Sequence, residues 1–302
     1  SASRHSSADS GLSGGHEKFV ADPFAVLATC ACLVGRRRDT RVRALNDEDF
    51  LLVDEIEETH WWFVGKRLIL RALLPDTTPI KRVLDLGCGT GGILRDWMNR
   101  SRCFGIDRSA VALKYCAEAG FDTLVRGDVT QLPFQNESFD TIFLMDVIEH
   151  LDDDVGFLES ASELCTPGGQ LVVAVPAFQL LWSQHDDTYH HKRRYTAKQL
   201  RAVIAAAGLT PERTTYTNSL LFPVALVWRV LSYRLGLGRF APTNDFWPVP
   251  ASLNALLTAL YRFEAWMLGR VNLPVGVSVV CIARKAHTKP DTPAPALAET
   301  PA

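Results

Sequence analysis

Between residues 82 and 175 the apolar positions change period repeatedly. Compact apolar runs at 82–86, 102–106, 122–126, 139–145 and 170–175 alternate with longer stretches, 91–100, 109–119 and 151–165, whose apolar residues recur every three or four positions. The compact runs predict buried strands and the stepped stretches amphipathic helices. Strands and helices in this order imply parallel pairing through right-handed crossovers, and hence a doubly wound sheet. A helix at 197–207 ends at Gly208 and leads to a strand at 210–216, and a Val-rich strand at 276–284 closes the pattern. Before that last strand the chain inserts residues 219–270, which predict two helices, 219–235 and 251–269, joined by a loop containing Phe246, Trp247 and Pro248. The second places Leu253, Leu256, Leu257, Leu260, Phe263 and Met267 at helical spacing, whereas the first is apolar nearly all round.

Upstream, Asn46 suits a helix N-cap, and Asp47, Glu48 and Asp49 complement the positive end of the helix dipole. A second helix, 64–74, stops at Pro75. The pattern predicts one α/β domain, residues 46–287: a mostly parallel seven-stranded sheet with a helical lid at 46–75 and the helical insertion before the last strand. Residues 1–45, which begin rich in Ser, Gly and His, and the Pro-, Ala- and Thr-rich residues 288–302 are expected to be a mobile and a disordered tail. The apolar stretch 24–34 is too short to span a bilayer, and Arg36, Arg37 and Arg38 follow it where an export signal carries its charge first.

Composition acts by exclusion. A net charge of −2 supplies no field drawing the chain to nucleic acid. Seven cysteines without a C-x-x-C pair read as reduced thiols, so a cytoplasmic location is expected.

The chemistry concentrates where strand 82–86 runs into Gly87-Cys88-Gly89-Thr90-Gly91-Gly92. Glycines there let the backbone approach a ligand at the carboxyl edge of a sheet. Gly87, Gly89 and Gly92 also satisfy G-x-G-x-x-G, so glycines alone do not separate a nicotinamide cofactor from S-adenosylmethionine. Asp85 does: its carboxylate repels a pyrophosphate and suits the ammonium of a methionine moiety. Asp107 follows 22 residues later, the spacing at which an acid on the next strand reaches ribose hydroxyls, and Asp128 can accept from an adenine amino group.

Residues 83–91 (VLDLGCGTG), 104–107 (FGID), 127–134 (GDVTQLPF), 139–151 (FDTIFLMDVIEHL) and 164–176 (LCTPGGQLVVAVP) together resemble class I S-adenosylmethionine-dependent methyltransferases. The resemblance implies a seven-stranded sheet with a reversed final hairpin. It places Asp85, Leu86, Gly87, Cys88, Gly89, Gly91, Asp107, Arg108, Asp128, Val129 and Asp146 around S-adenosylmethionine, with Arg67 of the lid near its carboxylate.

For the methyl acceptor the richest segment is the loop 177–196 after the fifth strand. His185, His190 and His191 have the intrinsic pKa of a base, Asp186 can orient one of them, and His185, His191, Asp186 and Tyr195 are the catalytic candidates. Arg193 and Arg194 can clamp an acidic group, with Trp62, His150 and Trp182 as further acceptor contacts. A subset of the resembling methyltransferases shares an HWWF-like segment (His60 to Phe63), LWS-x-x-D and H-x-RRY, and implies no particular substrate. Asp146, Glu149 and His150 resemble a run that holds a metal in some methyltransferases and none in many others; no metal is expected here. Methyl transfer to a small-molecule or lipid-linked acceptor, foremost at oxygen, is the leading expectation. An NAD(P)-dependent oxidoreductase or epimerase and a catalytically inactive cofactor-binding module are the alternatives. The insertion is expected as core, with a homodimer interface or a peripheral membrane contact as its other roles.

Overall fold

The computed structural model of the protein describes residues 47–74, 80–234 and 249–287. The expected tails and the loop of Phe246, Trp247 and Pro248 lie outside these residues. Seven strands form one sheet: β1 (Arg82–Leu86), β2 (Arg102–Asp107), β3 (Leu124–Arg126), β4 (Phe139–Met145), β5 (Cys165–Pro176), β6 (Thr210–Thr217) and β7 (Ser278–Arg284). Their order is β3-β2-β1-β4-β5-β7-β6, with β7 antiparallel to both neighbours and the remaining pairs parallel. Strand order reverses between β1 and β4, where the crevice at the carboxyl edge of an open α/β sheet opens for a ligand.

Alternation along the strands builds two cores. On one face Leu84, Leu86, Ile142, Leu144, Leu171 and Val173 pack under α4 (Asp154–Leu164) and α6 (Ala197–Ala206). On the other, Val83, Phe143, Val172, Val280 and Ile282 pack under α2 (Trp61–Leu73) and α8 (Ala251–Leu268). The remaining helices are α1 (Asp47–Ile56), α3 (Ala110–Glu118), the short α5 (Gln184–Thr188) and α7 (Phe222–Arg234). The five described cysteines, 88, 103, 116, 165 and 281, are free and buried.

Strand β5 begins at Cys165, five residues before the expected start, and two helices also differ from expectation. The helix expected at 91–100 shrinks to a 3-10 turn, Leu94–Asp96, because Gly91 sits at φ +87°, in the left-handed region, and prolongs the preceding loop. Helix α2 starts at Trp61, three residues early, because the His60 side chain accepts from the Trp62 N–H and caps it. The HWWF segment is therefore a cap and a first turn. Gly65 on α2 touches the Tyr261 ring of α8; a Cβ there would lie 2.1 Å from Tyr261 Cδ1, so the two helices pack at a distance only glycine allows. The insertion thus joins the core through one face of α8.

Candidate cofactor and acceptor site

Asp85, one residue before the end of β1, is a buried carboxyl whose Oδ1 has no hydrogen-bond partner among the described residues. Burial first, then the carboxylates of Asp107 and Glu57, push its pKa up to about 7, against the pull of Lys66. The loop that follows turns through Gly87 and Gly89 at φ +82° and +54°, and the Cβ direction of Gly89 meets nothing within 4 Å. Asp107 braces this loop: its Oδ2 accepts from Gly89 N–H at 2.9 Å and its Oδ1 from Ser109 N–H at 2.8 Å. Leu86 and Cys88 are buried behind the loop, and the Cys88 thiol is pushed well up by its hydrogen bond with Cys116 and by burial. Asp128 is exposed, and hydrogen bonds from the Thr130 N–H and hydroxyl hold its carboxyl below the usual range. Val129 packs on the core beside it, and Arg108 is exposed.

Asp146 follows β4 at φ +58°, a strained conformation for a non-glycine residue, held by its N–H to the Ala174 carbonyl at 2.9 Å. Lys66 of α2 reaches it at 2.5 Å and also lies 5.3 Å over the Trp62 ring. Burial raises the Asp146 carboxyl, but the Lys66 charge and hydrogen bond, with His191 and His150, outweigh it and hold the group below its usual value. A small cavity opens here, lined by Lys66, Met145, Asp146, Thr217, Asn218 and Ser278 among others. Asn218 is buried at φ +59° with its Oδ1 unpartnered among the described residues. Sequence reasoning missed Lys66 and Asn218. Lys66 carried a usable signal, one helical turn after Trp62; Asn218 carried none.

The loop 177–196 is tied together by Asp186. Its fully buried carboxylate accepts from Arg194 Nε and Nη2 at 2.7 and 2.9 Å and from Ser183 N–H at 2.8 Å, and pairs with His191 Nδ1 at 2.8 Å. Burial alone would raise Asp186, yet the hydrogen bonds from His191 and Arg194 prevail and hold it far below the usual range. An ionised Asp186 accepts a hydrogen bond from Nδ1–H of His191, which leaves Nε2 as the acceptor of the neutral ring. The ring of His150 meets His191 edge-on at 4.8 Å, and burial, then His191, lowers the His150 pKa to about 4. Glu149 is fully buried with both oxygens unpartnered among the described residues, and burial, then Asp146, push its carboxyl well up. Ligand atoms of Glu149, His150 and His191 lie within 4.8 Å of one another, a donor set of the type that takes a divalent ion. His185 stands 5.6 Å from the His191 ring.

Several expected roles meet other partners. Tyr195 donates to Asp154 Oδ2 at 2.7 Å, and burial with that carboxylate pushes its pKa well up, so it is no base. Arg193 binds Asp154 and the carbonyls of Leu151 and Asp152, while the buried Arg194 adds the Ala177 carbonyl to its Asp186 clamp. Arg67 binds the Glu57 carbonyl between Glu58 and Asp96 rather than a ligand carboxylate, and Trp182 donates to Asp187.

Residues 84–173 match the family model of a methyltransferase domain. The chain is 32% identical over 155 residues to a ubiquinone biosynthesis O-methyltransferase of Chelativorans sp., covering 44% of this chain and 60% of that protein. It is 30% identical over 103 residues to a tocopherol O-methyltransferase of Arabidopsis thaliana, covering 31% and 30%. The fold superposes on a phosphoethanolamine N-methyltransferase of Haemonchus contortus in complex with S-adenosylmethionine, with a TM-score of 0.53 at 17% identity over 80% of this chain and 57% of that one. The chain thus spans less than two thirds of these relatives' lengths. Over residues 84–173 the sheet core is thus similar to a methyltransferase domain, and its fold is that of S-adenosylmethionine-dependent methyltransferases.

The residues present fit the cofactor of such a methyltransferase domain. A buried carboxyl with an orphaned oxygen at the end of β1 suits an ammonium, and a loop held open by Asp107 beside Gly89 leaves room for a backbone-contacting ligand. Asp146, with Lys66 on it, and the His150–His191 ring pair follow β4 and β5 on that same edge of the sheet.

Proposed function

We propose that this chain transfers a methyl group from S-adenosylmethionine to a hydroxyl of an apolar small-molecule acceptor, with the His191–Asp186 pair as general base. The observation that carries the reading is the Asp186 carboxylate on His191 Nδ1, which fixes the tautomer and leaves Nε2 beside His150 and Asp146 at the cofactor edge. When bound, S-adenosylmethionine supplies an electrophilic methyl group for in-line displacement. Asp85 holds its ammonium, Asp107 its ribose, and Asp128 its adenine. Lys66 and Asn218 orient the acceptor over Asp146 in a cavity whose other walls include Ile69, Leu70, Met145 and Val280. Helix α2 excludes water from above. The names of the ubiquinone and tocopherol O-methyltransferases support oxygen as the methylated atom here.

The test pairs calorimetry with turnover on a panel of phenols and catechols bearing alkyl tails. S-adenosylmethionine is expected to bind where NADH does not, and His191→Ala to lower turnover about a hundredfold or more while leaving cofactor affinity intact. Equal loss of both would make His191 structural. Binding without turnover on any acceptor would favour an inactive cofactor-binding module, and NADH binding alone an oxidoreductase.

A further inference from the structure

Nine of the twelve large exposed apolar side chains among the described residues fall within 219–277, which concentrates them on the insertion. They include Val224, Val227 and Trp228 on α7 and Leu256, Phe263 and Trp266 on α8, opposite the α8 positions Tyr261, Ala265 and Leu268 that enter the core. Phe263 stacks on Trp266, and the Arg270 guanidinium lies 4.3 Å over the Trp266 ring. Residues 219–234 and 249–277 hold four arginines, 229, 234, 262 and 270, and one acid, Glu264, which is buried. This region is cationic in a chain whose net charge is −2. Aromatic side chains with arginine and no exposed acid match the headgroup zone of an anionic bilayer. The same charge pattern opposes a second copy, because a two-fold contact would set arginine against arginine.

The two helices form one region with the acceptor cavity. Leu220 N–H, two residues before α7, donates to Glu264 of α8 at 3.2 Å, and the Ser219 hydroxyl donates to the Val275 carbonyl. Thr217 and Asn218, immediately before Ser219, line the cavity. No helix among the described residues is long and apolar enough to cross a membrane, so the contact is interfacial.

We propose that the outer faces of α7 and α8 seat the protein on an anionic lipid bilayer, their apolar side chains entering the headgroup region and the exposed Arg262 and Arg270 facing acidic headgroups. Resting on the proposed transfer to an apolar acceptor, this seat delivers such an acceptor to the cavity at Asn218 without a passage through water. The experiment is co-sedimentation of the full chain with vesicles of phosphatidylcholine alone or mixed with phosphatidylglycerol. It compares wild type, a Trp228→Ser/Phe263→Ser/Trp266→Ser variant and an Arg262→Glu/Arg270→Glu variant, with S-adenosylmethionine affinity measured on each as the check of folding. Wild type is expected on the mixed vesicles, and each variant to lose about tenfold or more of that partition with its cofactor affinity unchanged. Absent partition, or partition equal in wild type and both variants, overturns the proposal. So does a wild-type dimer that the aromatic variant dissociates without any vesicle binding, which would give the face to a second copy. Vesicle binding that depends on these residues in a protein that binds no S-adenosylmethionine would uphold the membrane seat and overturn the methyl-transfer reading alone.

Discussion

Asp85 makes cofactor affinity a function of pH. Its carboxyl, pushed up to about 7 by burial and by the carboxylates of Asp107 and Glu57, is half protonated at neutral pH before the cofactor arrives. An ammonium partner selects the ionised form, so binding must release that proton. If only the carboxylate binds, affinity is nearly constant above pH 8 and falls about tenfold by pH 6, a loss of about 1.4 kcal/mol. Proton release should be about half an equivalent at pH 7 and nearly one at pH 6. Titration calorimetry in two buffers of different ionisation enthalpy reads both quantities, and Asp85→Asn should abolish the pH slope while weakening binding. The sign for stability runs the other way. A folded pKa above the ordinary 3.8 means that the native state binds more protons, so stability falls as pH rises from about 4 to 7 and is flat beyond. Asp85→Asn should therefore stabilise the cofactor-free protein more at pH 8 than at pH 5, by at most about 3 kcal/mol of unfolding free energy. Affinity independent of pH between 6 and 8, or a slope that survives in Asp85→Asn, would refute the argument.

Two other substitutions test the acceptor side. Asp186→Asn leaves the buried Arg194 guanidinium without its carboxylate and should cost about 3–5 kcal/mol in denaturant unfolding; a loss below about 1 kcal/mol would show that the clamp is solvated. Glu149→Gln should change the Tm little at pH 7, because burial and Asp146 push the Glu149 carboxyl well up and favour the neutral form that the amide copies. Turnover that is lost in this variant, and that a chelator also removes from wild type, would instead assign Glu149, His150 and His191 to a metal.

Local pattern determined much of this protein. Strands 82–86 and 139–145 were legible to the residue, because a buried strand must be apolar and a loop held against a ligand must be glycine-rich. The placement of three acids near the carboxyl edge was legible from the strand ends: Asp85 lies one residue before the end of β1, Asp107 ends β2 and Asp128 follows β3 by two residues. The helix 91–100 was misjudged because apolar spacing does not register a left-handed Gly91. Only the tertiary structure decided the roles of charged groups far from their partners. Tyr195 and Arg193 meet Asp154 across some 40 residues of chain, and Lys66 meets Asp146 across 80. A basic or phenolic side chain looks equally available for substrate or scaffold in the sequence; which of the two it serves depends on whether a distant carboxylate is folded within 3 Å of it, and hydrogen-bond strength falls too steeply with distance for composition to tell.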